Sequence, residues 1–375
     1  MESIMKRMTA ALFAITFLFA GSIVAQDTHA GFPVPQIPFA PKHYVCYRAE
    51  RPINVDGNLN EDSWEKAAWT DYFVDIEGDL KPAPAYKTRV KMLWDSDYLY
   101  VGAEIQEPNL WATLRERDTV IFRDNDFEIF IDPNGSTQPY YETEVNALGT
   151  VWDLLLRLPY RDDDRVAVNA WDIQGLKVGV GLHGTLDNPN DVDSGWTVEL
   201  AFPWAVLGQC ALHGAPPGDG DQWRINFSRV EWHLKMEKGV YVKQTDPSTG
   251  QDLPEENWVW SPQGLIDMHY PEMWGFLQFS DRTVGNGEST FKWNPIEDGK
   301  WALREIYYAE RNYYSMNGKF TDDLSILRIK EQSGAAYTWP PKIYVTPDLF
   351  EAIVEEDGTV IHIRQDGKTW ITGSK

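Results

Sequence analysis

Basic residues are scarce in this chain. Its 57 aspartates and glutamates outnumber 34 lysines and arginines, giving a formal charge of −23 over 375 residues. A surface of that sign repels nucleic acid and anionic membranes, and it favours cations and neutral ligands. Cysteine is scarcer still, with Cys46 and Cys210 alone. That excludes a disulfide framework and leaves one pair, which either forms a bridge or stays as two buried thiols. The seven histidines are scattered, so zinc and Ser/His sites have little support. No Gly-x-Ser-x-Gly elbow or phosphate-cradling loop is present.

Long apolar runs are also missing, with one exception. Lys6 and Arg7 precede Ala10 to Ala25, a run broken by Thr16, Gly21 and Ser22 and too short for an ordinary membrane span. It reads as a secretory leader over residues 1–25, cut after Ala25 or Gln26. No cysteine lies there to be lipidated, so the expected product is secreted or periplasmic, with no membrane span in the mature chain. Residues 26–42 are spaced by prolines and read as an extended linker.

Aromatic side chains, by contrast, are plentiful: 17 Trp, 17 Tyr and 16 Phe. A large β core would consume many of them, and a surface surplus would suit stacking on sugar C–H faces. The strongest local pattern lies between Asn125 and Leu158. In Asp126–Asp132, Phe127, Ile129 and Ile131 alternate with Asp126, Glu128, Phe130 and Asp132. Pro133-Asn134-Gly135 supplies a turn. Tyr140–Asn146 then alternates again, setting Tyr141, Thr143 and Val145 against Tyr140, Glu142, Glu144 and Asn146. Val151–Leu158 reads as a third strand. Two of these three strands carry an acidic, amide-bearing face.

Shorter strands at Lys87–Trp94, Tyr98–Glu104, Gly195–Phe202, Gln222–Glu231 and Trp274–Phe279, with turn residues between them, extend the β pattern. The fold class is mainly β: an immunoglobulin- or jelly-roll-like antiparallel β-sandwich over residues 43–280, with a small C-terminal α+β domain. Residues 281–295 read as a second linker. In the tail, 296–375, Gly299–Met316 has helical periodicity stopped at Asn317-Gly318. Phe350–Val354 and Val360–Arg364 form a hairpin, with a further turn at Asp366-Gly367.

The strings VDGNLNEDSWEKA, VKMLWDSDYLYVGAEIQEP, DNDFEIFIDP, YYETEVNALGTVWDLLL and GWTVELAFPW, in this order, resemble the family 9-like carbohydrate-binding modules of the broader DOMON-like β-sandwiches. The resemblance runs from about Tyr44 to Phe279. It implies a sandwich that carries structural calcium and holds the end of a sugar chain between two aromatic rings. Xylan-associated members have a Trp six residues before the Glu of the EIFID string, and here that position is Phe122, ahead of Glu128. Their Arg and Asn on the next strand fall on Glu144 and Asn146, so only the Asn is kept. The second aromatic position lies near Met268-His269-Tyr270.

Sugar recognition needs planar polar groups and an aromatic face. Glu128, Glu144 and Asn146 supply the first, and Phe122, Trp152 and Trp260 the second, with His269 as the remaining ring. For calcium, Asp187, Asp191 and Asp193, in a loop rich in oxygen ligands, are the candidate ligands, and Asp162–Asp164 is a second acidic loop. The expected function is non-catalytic carbohydrate binding in polysaccharide recognition or catabolism, with a glycan or oligosaccharide as partner and no nucleic acid. Two alternatives stand beside it. One is a glycoside hydrolase using paired carboxylates among Glu128, Glu142 and Glu144. The other is a haem-binding DOMON-like redox domain drawing on His233, Met236, Met268 and His269.

Overall fold

The computed structural model describes residues 31–163, 165–330 and 336–373. The expected leader, residues 26–30 of the first linker and Asp164 lie outside them. One hydrogen-bonded path of strands dominates. From one edge it runs through Ala167–Val168, Val151–Leu156, Tyr140–Asn146, Asp126–Asp132, Gln222–Glu231 and Gly275–Thr283. It then passes to His43–Arg48 and continues through Thr88–Trp94, Tyr98–Gln106, Gly195–Pro203 and Lys177–His183. His43–Arg48 pairs in parallel with both of its neighbours and joins the two halves, and the other main pairings are antiparallel.

The two halves face each other as a sandwich. Phe127, Ile129, Ile131, Val145, Ile225 and Phe227 from one half share a buried cluster with Val90, Met92, Val101, Val198 and Leu200 from the other. These residues recur every second position, as a pleated strand requires of a core face. Phe127, Ile129 and Ile131, with Tyr141 and Val145 of the next strand, therefore point inward, as their alternation predicts.

The opposite face of those strands is also covered, whereas a solvated polar face is the usual arrangement. Every residue of both strands is buried. Phe130, Tyr140, Leu154 and Leu156 pack there against Ile76, Val259, Met268 and Trp274 in a second apolar cluster. The covering segment lies largely within the irregular stretch before Gly275, where no strand period is visible.

The tail is built on the helix Ile296–Asn317 and the four-stranded sheet Lys342–Val345, Phe350–Glu356, Thr359–Arg364 and Thr369–Thr372. Gly318 ends the helix in the left-handed conformation, at φ 65°. The expected helix and hairpins are present, but the tail is not separate. Tyr270 and Met273 of the sandwich share one core with Leu303, Ile306, Tyr307, Phe350 and Ile361. Ion pairs cross the same boundary: Arg224 to Glu297 at 2.8 Å and Arg304 to Glu272, both buried, and the half-buried Arg311 to the buried side chain of Asp162.

Neither expected linker is a free spacer. Phe39 stacks on Trp301 with ring centroids 4.3 Å apart, and Phe32 meets Tyr307 edge-on at 5.6 Å, so the described part of the first linker straps the helix. In the second, Val284 is buried and Phe291 stacks on His43 at 4.3 Å. Cys46 and Cys210 do not bridge; both are free. Cys46 is buried in His43–Arg48, whereas Cys210 lies against Tyr141, whose strand is separated from that of Cys46 by three intervening strands.

Candidate functional site

The paired strands Asp126–Asp132 and Tyr140–Asn146 set Glu128 directly opposite Glu144, and Phe130 opposite Glu142. Directly opposite residues share a face, so Glu128, Glu142 and Glu144 converge on the covered side of the sheet. The cover is incomplete. A concavity of about 340 Å³ opens there, floored by these three glutamates and walled by Phe122, Trp152, Tyr160, Asn257, Asp267 and His269.

Each wall has a local cause. Phe122 sits in the single 3₁₀ turn Ile121–Arg123 and is 36% exposed. Its amide donates to Glu144 Oε2 at 2.9 Å, and its carbonyl accepts from Trp232 Nε1 at 2.8 Å. Trp152 lies across the ladder from Glu144 and remains partly exposed. The His269 ring is held by Tyr140 Oη, 2.8 Å from Nδ1, and by the edge of Tyr160 at 4.6 Å between centroids.

Electrostatically the floor is unusual. Burial raises Glu128 to about 7. Burial, reinforced by repulsion from Glu128, pushes Glu142 and Glu144 well above the usual carboxylate range. Asp126, just behind them, is raised in the same way, by burial first and then by Glu128. Burial likewise raises Asp267 to about 6 and lowers His269 to about 3, with Arg161 adding to the His269 shift. Among the described residues, no lysine or arginine forms an ion pair with Asp126, Glu128, Glu142 or Glu144.

The concavity gathers five of the seven residues expected from sequence: Phe122, Glu128, Glu144, Trp152 and His269. Asn146 and Trp260 lie elsewhere. Asn146 is fully buried and fully used: its Nδ2 donates to Leu114 O and Asp124 Oδ2, and its Oδ1 accepts from the amides of Leu148 and Thr150. It clamps a turn and offers nothing to a ligand. Trp260 is 1% exposed and packs on Phe227 inside the sandwich, with centroids 5.8 Å apart. Tyr160, Asn257 and Asp267 have no sequence signal of their own: Asn257 comes from Glu256–Val259, a strand of four residues too short to show a period, and Tyr160 and Asp267 from a 3₁₀ turn and a loop.

The aspartate loop expected to hold calcium does not form a ligand set. Asp193 accepts from the amides of Leu110 and Thr185 at 2.8 and 2.7 Å, Asp187 accepts from Ala112, and Asp191 is exposed. These bonds staple two loops together. In the other acidic loop, Asp162 is consumed by Arg311 and Tyr307. The residues considered for haem are dispersed: Met236 is exposed, and His233 pairs with Glu256 in a different concavity from that of Met268 and His269.

Among the described residues, no helix is long and apolar enough to cross a membrane. Residues 55–216 match the carbohydrate family 9 binding domain-like family, and this region includes the two strands that carry the floor glutamates, Asp126–Asp132 and Tyr140–Asn146. That stretch of the chain is therefore similar to the family 9-like domains. It is 28% identical over 155 residues to exoglucanase XynX of Acetivibrio thermocellus, covering 41% of this chain and 12% of that protein. It is 27% identical over 117 residues to endo-1,4-beta-xylanase A of Thermoanaerobacterium saccharolyticum, covering 31% and 8%. The chain thus spans only a small part of either relative. A family 9 carbohydrate-binding module from Caldicellulosiruptor kristjanssonii, solved with cellotriose, aligns with a TM-score of 0.40 at 15% identity, covering 67% of this chain and all of that one.

Proposed function

We propose that this protein is an exported, non-catalytic carbohydrate-binding protein, and that the concavity over Glu128, Glu142 and Glu144 holds its glycan. One observation carries the reading. Two partly exposed rings, Phe122 and Trp152, border a floor of directional polar groups in a single open hollow. Rings give apolar area for sugar C–H faces, and carboxyl groups give hydroxyls fixed partners. The family match over the floor strands supports the same ligand class. Export rests on the leader read from residues 1–25.

Hydrolysis is the less favoured reading on geometric grounds. Glycosidases place two carboxyl groups on either side of the scissile bond. Here Glu128, Glu142 and Glu144 all rise from one sheet face on two adjacent strands, so none of these three stands across a substrate from another, and a hydrolase would have to draw its second carboxyl group from the wall, where Asp267 lies.

The test is a glycan array followed by calorimetry with the best ligand, on the wild-type protein and on a Phe122→Ala/Trp152→Ala double variant. Binding by the wild type that falls at least tenfold in the variant supports the proposal. A blank array with folded protein, or binding indifferent to both substitutions, overturns it.

A further inference from the structure

Among the described residues, two groups of carboxylates come close enough to share a cation, and they differ in one respect. Asp118, Asp153 and Asp172 surround Arg117, which pairs with all three. That group already has its positive charge. Asp126, Glu128 and Glu144 bring one oxygen each within 4.8 Å of the others, all three buried, with no basic side chain among them. Three ionised carboxylates in so small a buried volume repel strongly.

Two further atoms point into the group. Asp126 is 1% exposed; its Oδ1 accepts from the Val230 amide at 3.3 Å, while Oδ2 has no hydrogen-bond partner. Ser228 stands opposite Glu128 on the neighbouring strand and is fully buried. Its Oγ lies near enough to ease the charge on Glu128 but makes no hydrogen bond of sound geometry. A buried hydroxyl and a buried carboxylate oxygen left unpaired each carry a cost, which a bound ion removes.

We propose that Asp126, Glu128 and Glu144 hold a divalent cation of the calcium type, with Ser228 Oγ as a fourth oxygen and the open positions facing the concavity. The span fits: oxygens bound at 2.3–2.6 Å to one ion lie at most about 5 Å apart. Hard, all-oxygen donors without nitrogen or sulfur select calcium, magnesium or manganese over zinc. Six to eight ligands are normal for calcium, so sites remain for water or for paired hydroxyls of a bound sugar. Glu128 and Glu144 line the hollow, whereas Asp126 lies behind it, which puts the vacant side of the ion towards a ligand. The cation site stands independently of the carbohydrate reading, and its test uses no glycan.

The experiment is a thermal melt of chelator-treated protein at pH 7.5, with and without calcium, alongside terbium luminescence sensitised by nearby Trp152. The expected result is an upward Tm shift of about 5 °C at a hundredfold excess over Kd, with terbium emission that calcium competes away. Both signals should vanish in Glu128→Gln/Glu144→Gln and in Asp126→Asn, which preserve side-chain size. In Asp187→Asn/Asp193→Asn both should persist, and that variant reports on the loops stapled by aspartate. No metal-dependent shift in the wild type overturns the proposal, as does a shift that survives in the glutamine variant. A cation signal from wild-type protein whose glycan array stays blank leaves this proposal standing and counts against the carbohydrate reading alone.

Discussion

Glu128 and Glu144 face each other across one rung of an antiparallel ladder, both buried and with no basic side chain paired to either. Like charges in that register destabilise a sheet, so their placement together on the floor of an open hollow favours a bound partner that lowers this cost. The hollow offers rings on its wall and oxygens on its floor, which is why a sugar and a cation are the two occupants argued above.

The first prediction concerns the rings. Phe122→Ala and Trp152→Ala should each lower glycan affinity about tenfold, or about 1.4 kcal/mol. Denaturation should shift little for Phe122, which is 36% exposed. Calorimetry and urea melts on the same samples separate the two effects. An unchanged affinity for both variants would remove the aromatic wall from the site.

The second concerns the joint between sandwich and tail. Arg224 and Glu297 pair at 2.8 Å, with 7% and 8% of their side chains exposed. Removing one partner of such a pair leaves a buried charge and costs about 3–5 kcal/mol. Glu297→Ala should therefore lower stability by that amount in a urea melt, and a cut at residue 294 should abolish soluble expression. A stable, soluble sandwich after that cut would show that the shared core around Tyr270 and Met273 is dispensable.

The third is a pH dependence. Burial raises Glu272, but Arg161 and Arg304 outweigh it and hold the carboxyl at about 2. A carboxylate depressed from 4.5 to about 2 contributes on the order of 3 kcal/mol of stability above pH 4.5. That contribution fades as the pH falls from 4.5 through 2. The stability gap between the wild type and Glu272→Gln should be widest at pH 7 and should narrow at pH 3. A gap constant across that range would mean that the ionised carboxylate is not what fastens the joint.

How far the sequence reveals this molecule depends on whether the signal is local. Alternation in Asp126–Asp132 and Tyr140–Asn146 assigns each side chain to its observed face, because a strand's period is a property of its own residues. The helix expected over 299–316 appears as Ile296–Asn317 for the same reason. Burial of the glutamate face could not be read, since its cover includes Met268, from a loop without periodicity, and Val259, from a strand of only four residues. Asn146 looked like a ligand because an Asn on a polar face is chemically indistinguishable from a turn clamp. Only the loop closing back onto it, from Leu114 and Asp124, decides the matter. The strap at Phe32 and Phe39 was hidden by its prolines, although its apolar residues are what dock on the helix.

A fourth prediction uses Gly57, in the turn of the VDGNLNEDSW segment. Its φ is 91°, and an added Cβ would sit 2.3 Å from the Val180 carbonyl carbon. The Gly57 amide also donates to Glu199 Oε2 at 2.7 Å, so the turn cannot drift outward without losing a buried bond. Gly57→Ala should cost at least about 2 kcal/mol, read as a drop in the urea midpoint with an unchanged slope. A neutral substitution would mean that the strand Lys177–His183 yields at this contact.

The fifth prediction sets Trp152 against Trp260, which sequence alone treats as equivalents. Trp260 lies in the core, its ring against Phe227 and so close to Gly275 that an added Cβ there would approach it to 2.4 Å. Trp260→Ala should cost about 3–5 kcal/mol through the cavity it leaves, while the protein still folded at 15 °C keeps its glycan affinity. Trp152→Ala should do the reverse, because its ring is partly exposed at the rim of the hollow. Measuring both quantities for both variants gives a crossed result that loss of folding alone cannot imitate. If Trp260→Ala lost affinity at full occupancy of the folded state, the ligand would have to reach the interior of the sandwich, and the concavity over Glu128 and Glu144 would be the wrong site.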